Sequence, residues 1–244
     1  MSATTAASWG AVVVAFAISY LAGSIPFAYI IVKLATGEDV TAHGSGNVGS
    51  MNVRRTTGSW GWFAVAVLGD GLKGLIPTFA AKFLSAAGVE PLAVAVKPWG
   101  MTLQAIGPAW WQNPALIVPM AAVAGCVFGH NYSCWMALIK RRFARTGKGL
   151  ATGAGALLAY DWRYFLVVLI VGLAVIAITK YMMAGQVAAA WTLPATALVL
   201  NSPDWVFALL MGTVVYAAHH KRFIGMLGGK EPRLYIHDRM GPRG

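Results

Sequence analysis

The chain has 244 residues, of which 58% are hydrophobic and only 11% charged, with a formal net charge of +11. Soluble globular domains average about 25% charged residues, so this composition excludes an ordinary water-soluble enzyme. The positive charge does not mark a nucleic-acid partner, because the cations gather in alternate connections between apolar stretches.

The apolar stretches are continuous rather than alternating, which predicts helices and not a barrel. About seven spanning segments fit a chain of this length, near 9–33, 59–87, 113–139, 150–160, 162–179, 183–200 and 204–219. The expected fold is all-α and integral to the membrane, with one membrane-embedded domain over 1–244. Residues Met1 to Ser8 carry no Lys or Arg, and the run that follows is too long for the apolar part of a cleaved signal. It is expected to remain as the first helix.

A polar, glycine-rich segment follows, Gly44-Ser45-Gly46-Asn47-Val48-Gly49, leading to Asn52, Arg54 and Arg55. The helix over 59–87 then carries Asp70 and Lys73, three residues apart and so on one face. They read either as a packing ion pair or as ligand contacts. The segment 88–112, with Pro91, Pro98, Pro108 and Trp110-Trp111, is expected to be an external loop with interfacial aromatics. The helix over 113–139 holds Cys126 and Cys134, whose spacing is no zinc or redox motif, so they read as ordinary buried residues. It also holds His130, which reads either as a core residue bonded to a carbonyl or as part of a site.

Thr146-Gly147-Lys148-Gly149 comes next, then the segment 150–160, too short to cross alone. Its Gly153 and Gly155 permit close helix contact. After the last helix comes His219-His220-Lys221-Arg222 and a basic tail. No internal repeat is evident.

One set of connections holds Lys33, Arg54, Arg55, Lys140, Arg141, Arg142, Arg145, Lys148, Lys180 and the tail from Lys221, and the other holds only Lys97 and Arg163. This asymmetry predicts an N-terminus outside and a C-terminus in the cytoplasm. Three junctions of glycines, hydroxyls and cations then fall on the cytoplasmic side. Flexible backbone N–H groups with Lys or Arg suit a phosphate-bearing ligand. Most of the remaining cations read as topology signals that contact anionic lipid.

Two nucleotide motifs fail. Gly44 to Gly49 fits G-x-G-x-x-G literally, but it follows a membrane helix and not a strand. Gly147-Lys148 lacks a P-loop frame, since Arg142 stands at the first required Gly and Gly149 at the Ser/Thr.

The ensemble resembles the bacterial acyl-phosphate:glycerol-3-phosphate acyltransferases, the PlsY family. The resemblance rests first on Gly23-Ser24-Ile25-Pro26-Phe27, Gly37-Glu38-Asp39, Gly44 to Gly49, Asn52, Arg55, Asp70, Lys73-Gly74 and Pro77. It continues with Gly129-His130 and Gly147-Lys148-Gly149-Leu150-Ala151-Thr152, then His219-His220 and Glu231. It implies a seven-helix enzyme of the bacterial inner membrane with its site on the cytoplasmic side. That enzyme would move a fatty acyl group from acyl phosphate to the 1-hydroxyl of glycerol 3-phosphate, giving lysophosphatidic acid and phosphate.

Carried over, the phosphate-binding set is Ser45, Gly46, Asn47, Asn52 and Arg55 from the first loop, with Gly147, Lys148 and Gly149 from the second. Asp70, Lys73 and His130 would support it, and Ser45 and His219 would act on the reacting groups. An acyl phosphate is already activated, so no metal or cofactor is expected. His219 suits proton transfer near neutrality; a phosphate oxygen of the donor is the other candidate base.

The chain departs from the family in three places. Thr41 stands where an Arg is usual, and Arg222 stands where an Asn is usual. The stretch between His130 and Lys148 gains Lys140, Arg141, Arg142 and Arg145. Arg222 has no acceptor and cannot replace an accepting Asn, but it can bind phosphate. The competing classes are a non-catalytic membrane protein that binds or carries lipid or organic phosphate, and an acyltransferase for another polyol phosphate. A carrier commonly shows inverted repeats and midplane charges.

Overall fold

Runs of Val, Leu, Ile and Ala offer no side chain to satisfy the backbone, so each run pairs its own N–H and C=O groups by coiling. The computed structural model describes residues 3–87, 114–200, 202 and 204–230. Among these residues it holds ten α-helices and one 3₁₀ turn, and no strand. Among the described residues, four segments are long and apolar enough to cross a membrane: Trp9–Thr36, Trp60–Ser85, Trp162–Thr179 and Met182–Val199.

Three expected elements differ. The first helix is two, α1 (Ala3–Gly23) and α2 (Phe27–Thr36). Pro26 has no N–H to continue the ladder, and carbonyls at the break are met by side chains: Lys73 Nζ donates to Ile25 O at 2.7 Å, and the Ser133 hydroxyl donates to Ser24 O. The helix expected over 113–139 is likewise two, α5 (Pro114–Asn131) and α6 (Cys134–Lys140). Ser133 starts α6 by accepting the Met136 N–H at 3.1 Å. The last helix, α10 (Trp205–Leu227), does not stop at 219 but runs on through His219–Arg222. Those four residues are therefore helical and form no junction.

One further element was not expected. The polar stretch after Gly49 coils into α3 (Ser50–Thr57), which ends at Gly58 with φ +72°. A left-handed residue there suits glycine. The other helices, α4 (Trp60–Ala87), α7 (Leu150–Tyr160), α8 (Trp162–Thr179) and α9 (Met182–Val199), fall close to expectation. The expected loop over 88–112, and Glu231 with the tail beyond it, lie outside the described residues.

The chain divides into two compact units, 1–165 and 166–244. In the first, α1 packs on α5, and α4 packs on α5 and α7. Backbone approach is close: a Cβ at Gly129 would overlap the Tyr20 carbonyl, and one at Gly155 would overlap the Gly71 carbonyl. Small residues permit such contact between membrane helices. At the end of α7, Lys82 of α4 donates to Tyr160 O at 2.8 Å and Ala159 O at 3.3 Å, matching a cation to a helix C-terminus. In the second unit, α9 packs on α10, with Gly212 against the Ala190 carbonyl and the Trp191 and Tyr216 rings 5.6 Å apart.

Candidate functional site

The first glycine loop is held by its own apolar and amide residues. Val40, Val48 and Val53 are buried with Ile31 and Val32 of α2, Ala66 of α4 and Met136 of α6. Between these anchors, Asn52 organises the turn. It is 2% exposed, and its Nδ2 donates to the carbonyls of Val40 (2.8 Å), His43 (3.0 Å) and Asn47 (3.1 Å). Its Oδ1 accepts the Ser45 N–H at 3.2 Å. Gly44 has φ +55°, and a Cβ there would strike Asn52 Oδ1, so the turn demands glycine on both counts.

The loop is not an open nest of amides. The N–H groups of Ser45, Gly46 and Val48 serve Asn52, His43 O (2.9 Å) and Thr146 O (2.8 Å). Ser45 and Gly46 are nonetheless exposed at the tip, and Asn47 is half-buried. The half-buried Arg55 of α3 passes Gly44, its Cδ 3.2 Å from where a Gly44 Cβ would lie. Asn52 is thus occupied with shaping the loop, and the Arg55 side chain runs past it at Gly44.

The second loop precedes α7. Thr146 N–H donates to Asn131 O at 2.8 Å, and its hydroxyl donates to His130 O at 2.9 Å. Gly147 sits on the His130 imidazole so closely that a Cβ would overlap the ring. Arg145 Nε donates to Gly147 O at 3.1 Å. Gly149, with φ +72°, turns the chain into α7, and Lys148 lies half-buried just before that helix N-terminus. The positive end of a helix with an adjacent ammonium is a place for an anion. The Val48–Thr146 bond fastens the first loop to this one. Ser45, Gly46, Asn47, Asn52 and Arg55 therefore share a region with Gly147, Lys148 and Gly149.

Asp70, Lys73 and His130 form a buried group beneath the loops. Lys73 Nζ lies 2.8 Å from Asp70 Oδ1, and His130 Nδ1 lies 3.6 Å from that same oxygen and 3.1 Å from Thr152 Oγ1. Their exposures are 2% for Asp70 and 7% for both Lys73 and His130. Together they tie α4, α5 and α7, and Lys73 reaches the α1–α2 break as well. A buried pair of this kind is costly unless fully bonded. This geometry favours a supporting role, with His130 acting as the floor under Gly147.

In the second unit, His219 of α10 is 1% exposed, and its Nδ1 lies 2.7 Å from Val215 O. A carbonyl can only accept, so Nδ1 carries the proton and, in the neutral ring, Nε2 carries the lone pair. Arg222 follows by three residues on the same helix face.

Three pairings escaped the sequence: Ser133 with Ser24, Thr146 with His130, and the ion pair of Asp39 with Lys140. The Ser-Cys and Thr-Gly dipeptides carry no distinctive spacing, and the pair joins residues far apart in the chain. Among the described residues, no three His, Cys, Asp or Glu side chains are grouped as metal ligands.

A family model described as "Glycerol-3-phosphate acyltransferase" matches residues 13–229. A glycerol-3-phosphate acyltransferase of Gluconobacter oxydans is 31% identical over 224 residues, covering 90% of this chain and 91% of that protein. The crystal structure of PlsY, an integral membrane glycerol 3-phosphate acyltransferase, in its glycerol 3-phosphate form is similar with a TM-score of 0.70 and 26% identity. The match covers 92% of this chain and 96% of that one. The lysophosphatidic acid form of PlsY is similar with a TM-score of 0.68 and 25% identity, covering 92% and 95%.

Proposed function

The chain belongs to the glycerol-3-phosphate acyltransferase family, and we propose that it draws the acyl group from acyl phosphate. It acylates glycerol 3-phosphate to lysophosphatidic acid. The observation that carries the donor and site assignment is the joining of two cation-bearing glycine loops through Val48 and Thr146. The reaction has two phosphates to hold, one on each substrate, and each loop brings a cation.

The 1-hydroxyl oxygen of the acceptor forms a bond to the acyl carbon as the bond from that carbon to the phosphate oxygen breaks, and inorganic phosphate leaves. Reacting atoms must be held ~3–3.5 Å apart. Ser45 and Arg55 bind one phosphate, Arg55 in a bidentate fork, and Lys148 binds phosphate as a point charge. Asn52 shapes the first loop for this work, Asn47 offers a side-chain amide at its tip, and Gly46, Gly147 and Gly149 bring no side chain to crowd the ligand. The hydroxyl proton has two candidate acceptors, His219 and a phosphate oxygen of the donor. Arg222 adds a further phosphate contact.

Seven spans, an N-terminus outside, a cytoplasmic C-terminus and a site facing the cytoplasm of a bacterial inner membrane complete the reading, supported by the cation asymmetry of the connections. The test is purified protein with acyl phosphate and glycerol 3-phosphate. Lysophosphatidic acid and inorganic phosphate should appear in equal amounts.

A further inference from the structure

The first glycine loop is fastened at its far end by Val48, and a second long-range contact holds its near end. Asp39 Oδ1 accepts both the Thr41 N–H at 2.9 Å and the Thr41 hydroxyl at 2.6 Å. Its Oδ2 pairs with Lys140 Nζ, from the last residue of α6 and 101 positions away. The same ammonium stands 5.6 Å from the centroid of the Tyr29 ring on α2, within reach of a cation–π attraction.

Asp39 caps the 3₁₀ turn Val40–Ala42. Val40 O receives Asn52 Nδ2 at 2.8 Å, and Asn52 Oδ1 receives the Ser45 N–H at 3.2 Å. Polar contacts thus lead from Lys140 through Asp39, the turn and Asn52 to the residue at the loop tip.

Building on acyl transfer to glycerol 3-phosphate as the activity, we propose that Lys140 is a positioning residue. It clamps Asp39 so that the first loop presents Ser45 and Arg55 to a substrate phosphate. Asp39 is itself about one-third exposed, so removal of Lys140 leaves no buried charge behind. The clamp also explains what the first cation of the added basic stretch does. It supplies from another helix a positive charge that position 41, a threonine here, does not.

The test uses the full chain and three variants: Lys140→Met, Lys140→Arg, and Lys140→Met combined with Thr41→Arg. Lys140→Met should raise KM for at least one of the two phosphate substrates about fivefold, as expected for loss of a surface pair, and keep kcat within about twofold. Amide hydrogen exchange over 40–49 should quicken, while exchange in α4 and α5 stays the same. Lys140→Arg should behave like the native protein. The combined variant should recover both readouts, because the side chain at 41 already reaches the Asp39 carboxylate.

Unchanged KM and exchange in Lys140→Met would overturn the clamp. So would a loss that neither Arg variant recovers, since charge would then not be the cause. A native protein with no turnover would instead defeat the acyl-transfer assignment, and the exchange readout would still decide the clamp.

Discussion

The backbone N–H of Val48 donates to the carbonyl oxygen of Thr146 at 2.8 Å. Through this bond the Gly44–Gly49 loop and the Thr146–Gly149 loop hold one another in place. Val48 is 4% exposed, so the bond is sheltered from water, where a backbone pair is strongest. Ser45 and Arg55 on one side and Lys148 on the other are thereby set by a contact that involves none of their side chains.

Lys148→Ala should leave the protein folded in detergent or bilayer and lower kcat/KM about 10- to 100-fold, the worth of a hydrogen bond to a charged group. Steady-state kinetics alongside circular dichroism checks this. Near-native turnover by the folded variant would remove Lys148 from the site.

Asn52→Ala should act on the loop rather than on one ligand bond. It removes one donor from each of three carbonyls and the acceptor of the Ser45 N–H, and a buried polar group left unbonded costs about 1–3 kcal/mol. A lower melting temperature and a raised KM should appear together. Asn52→Asp should not restore them, since a carboxylate cannot donate to carbonyls. Kinetics at a temperature where both variants stay folded separates the two effects.

Gly147→Ala should destabilise because the new methyl group meets the His130 ring. Overpacking of this kind costs about 1–3 kcal/mol. The double variant Gly147→Ala/His130→Ala should lose less stability than the two single losses added together, as expected for residues in contact. Strict additivity in thermal unfolding would show that the ring is not the obstacle.

Several of these features were legible in the sequence. Gly44, Gly147 and Gly149 stood out because their neighbours are polar and cationic in an apolar chain, and the lengths of α4, α7, α8 and α9 followed from hydropathy. The breaks at Pro26 and Ser133 were not legible. Hydropathy continues across both, and the carbonyls of Ser24 and Ile25 are satisfied by Ser133 and Lys73 from distant segments. Helix α3 was hidden for the opposite reason: its polar composition reads as a loop, and it is sustained by burial of Asn52 and Val53. The four polar residues His219–Arg222 looked like the start of a tail, yet a helix can carry them beyond its apolar part because its backbone pairs within itself. Asp70, Lys73 and His130 were visible as candidates, but their role as a floor depends on packing between α4, α5 and α7.

Arg222→Ala should lower kcat/KM about 10- to 100-fold if its guanidinium holds phosphate, and Arg222→Asn should recover part of that loss. The spacing to His219 on α10 places both side chains on one helix face. Equal activity in the native protein and both variants would mean that Arg222 faces lipid headgroups. A native protein that gains activity on Arg222→Asn would mean that the arginine obstructs turnover.

On this reading the membrane protein takes its acyl group from acyl phosphate. The most direct measurement supplies purified protein with glycerol 3-phosphate and one donor at a time, acyl phosphate or acyl-CoA, and follows lysophosphatidic acid by mass spectrometry. Acyl phosphate should give lysophosphatidic acid with release of one phosphate per product, and acyl-CoA should give little or none. Efficient product formation from acyl-CoA alone, or none from acyl phosphate, would rule out acyl phosphate as the donor.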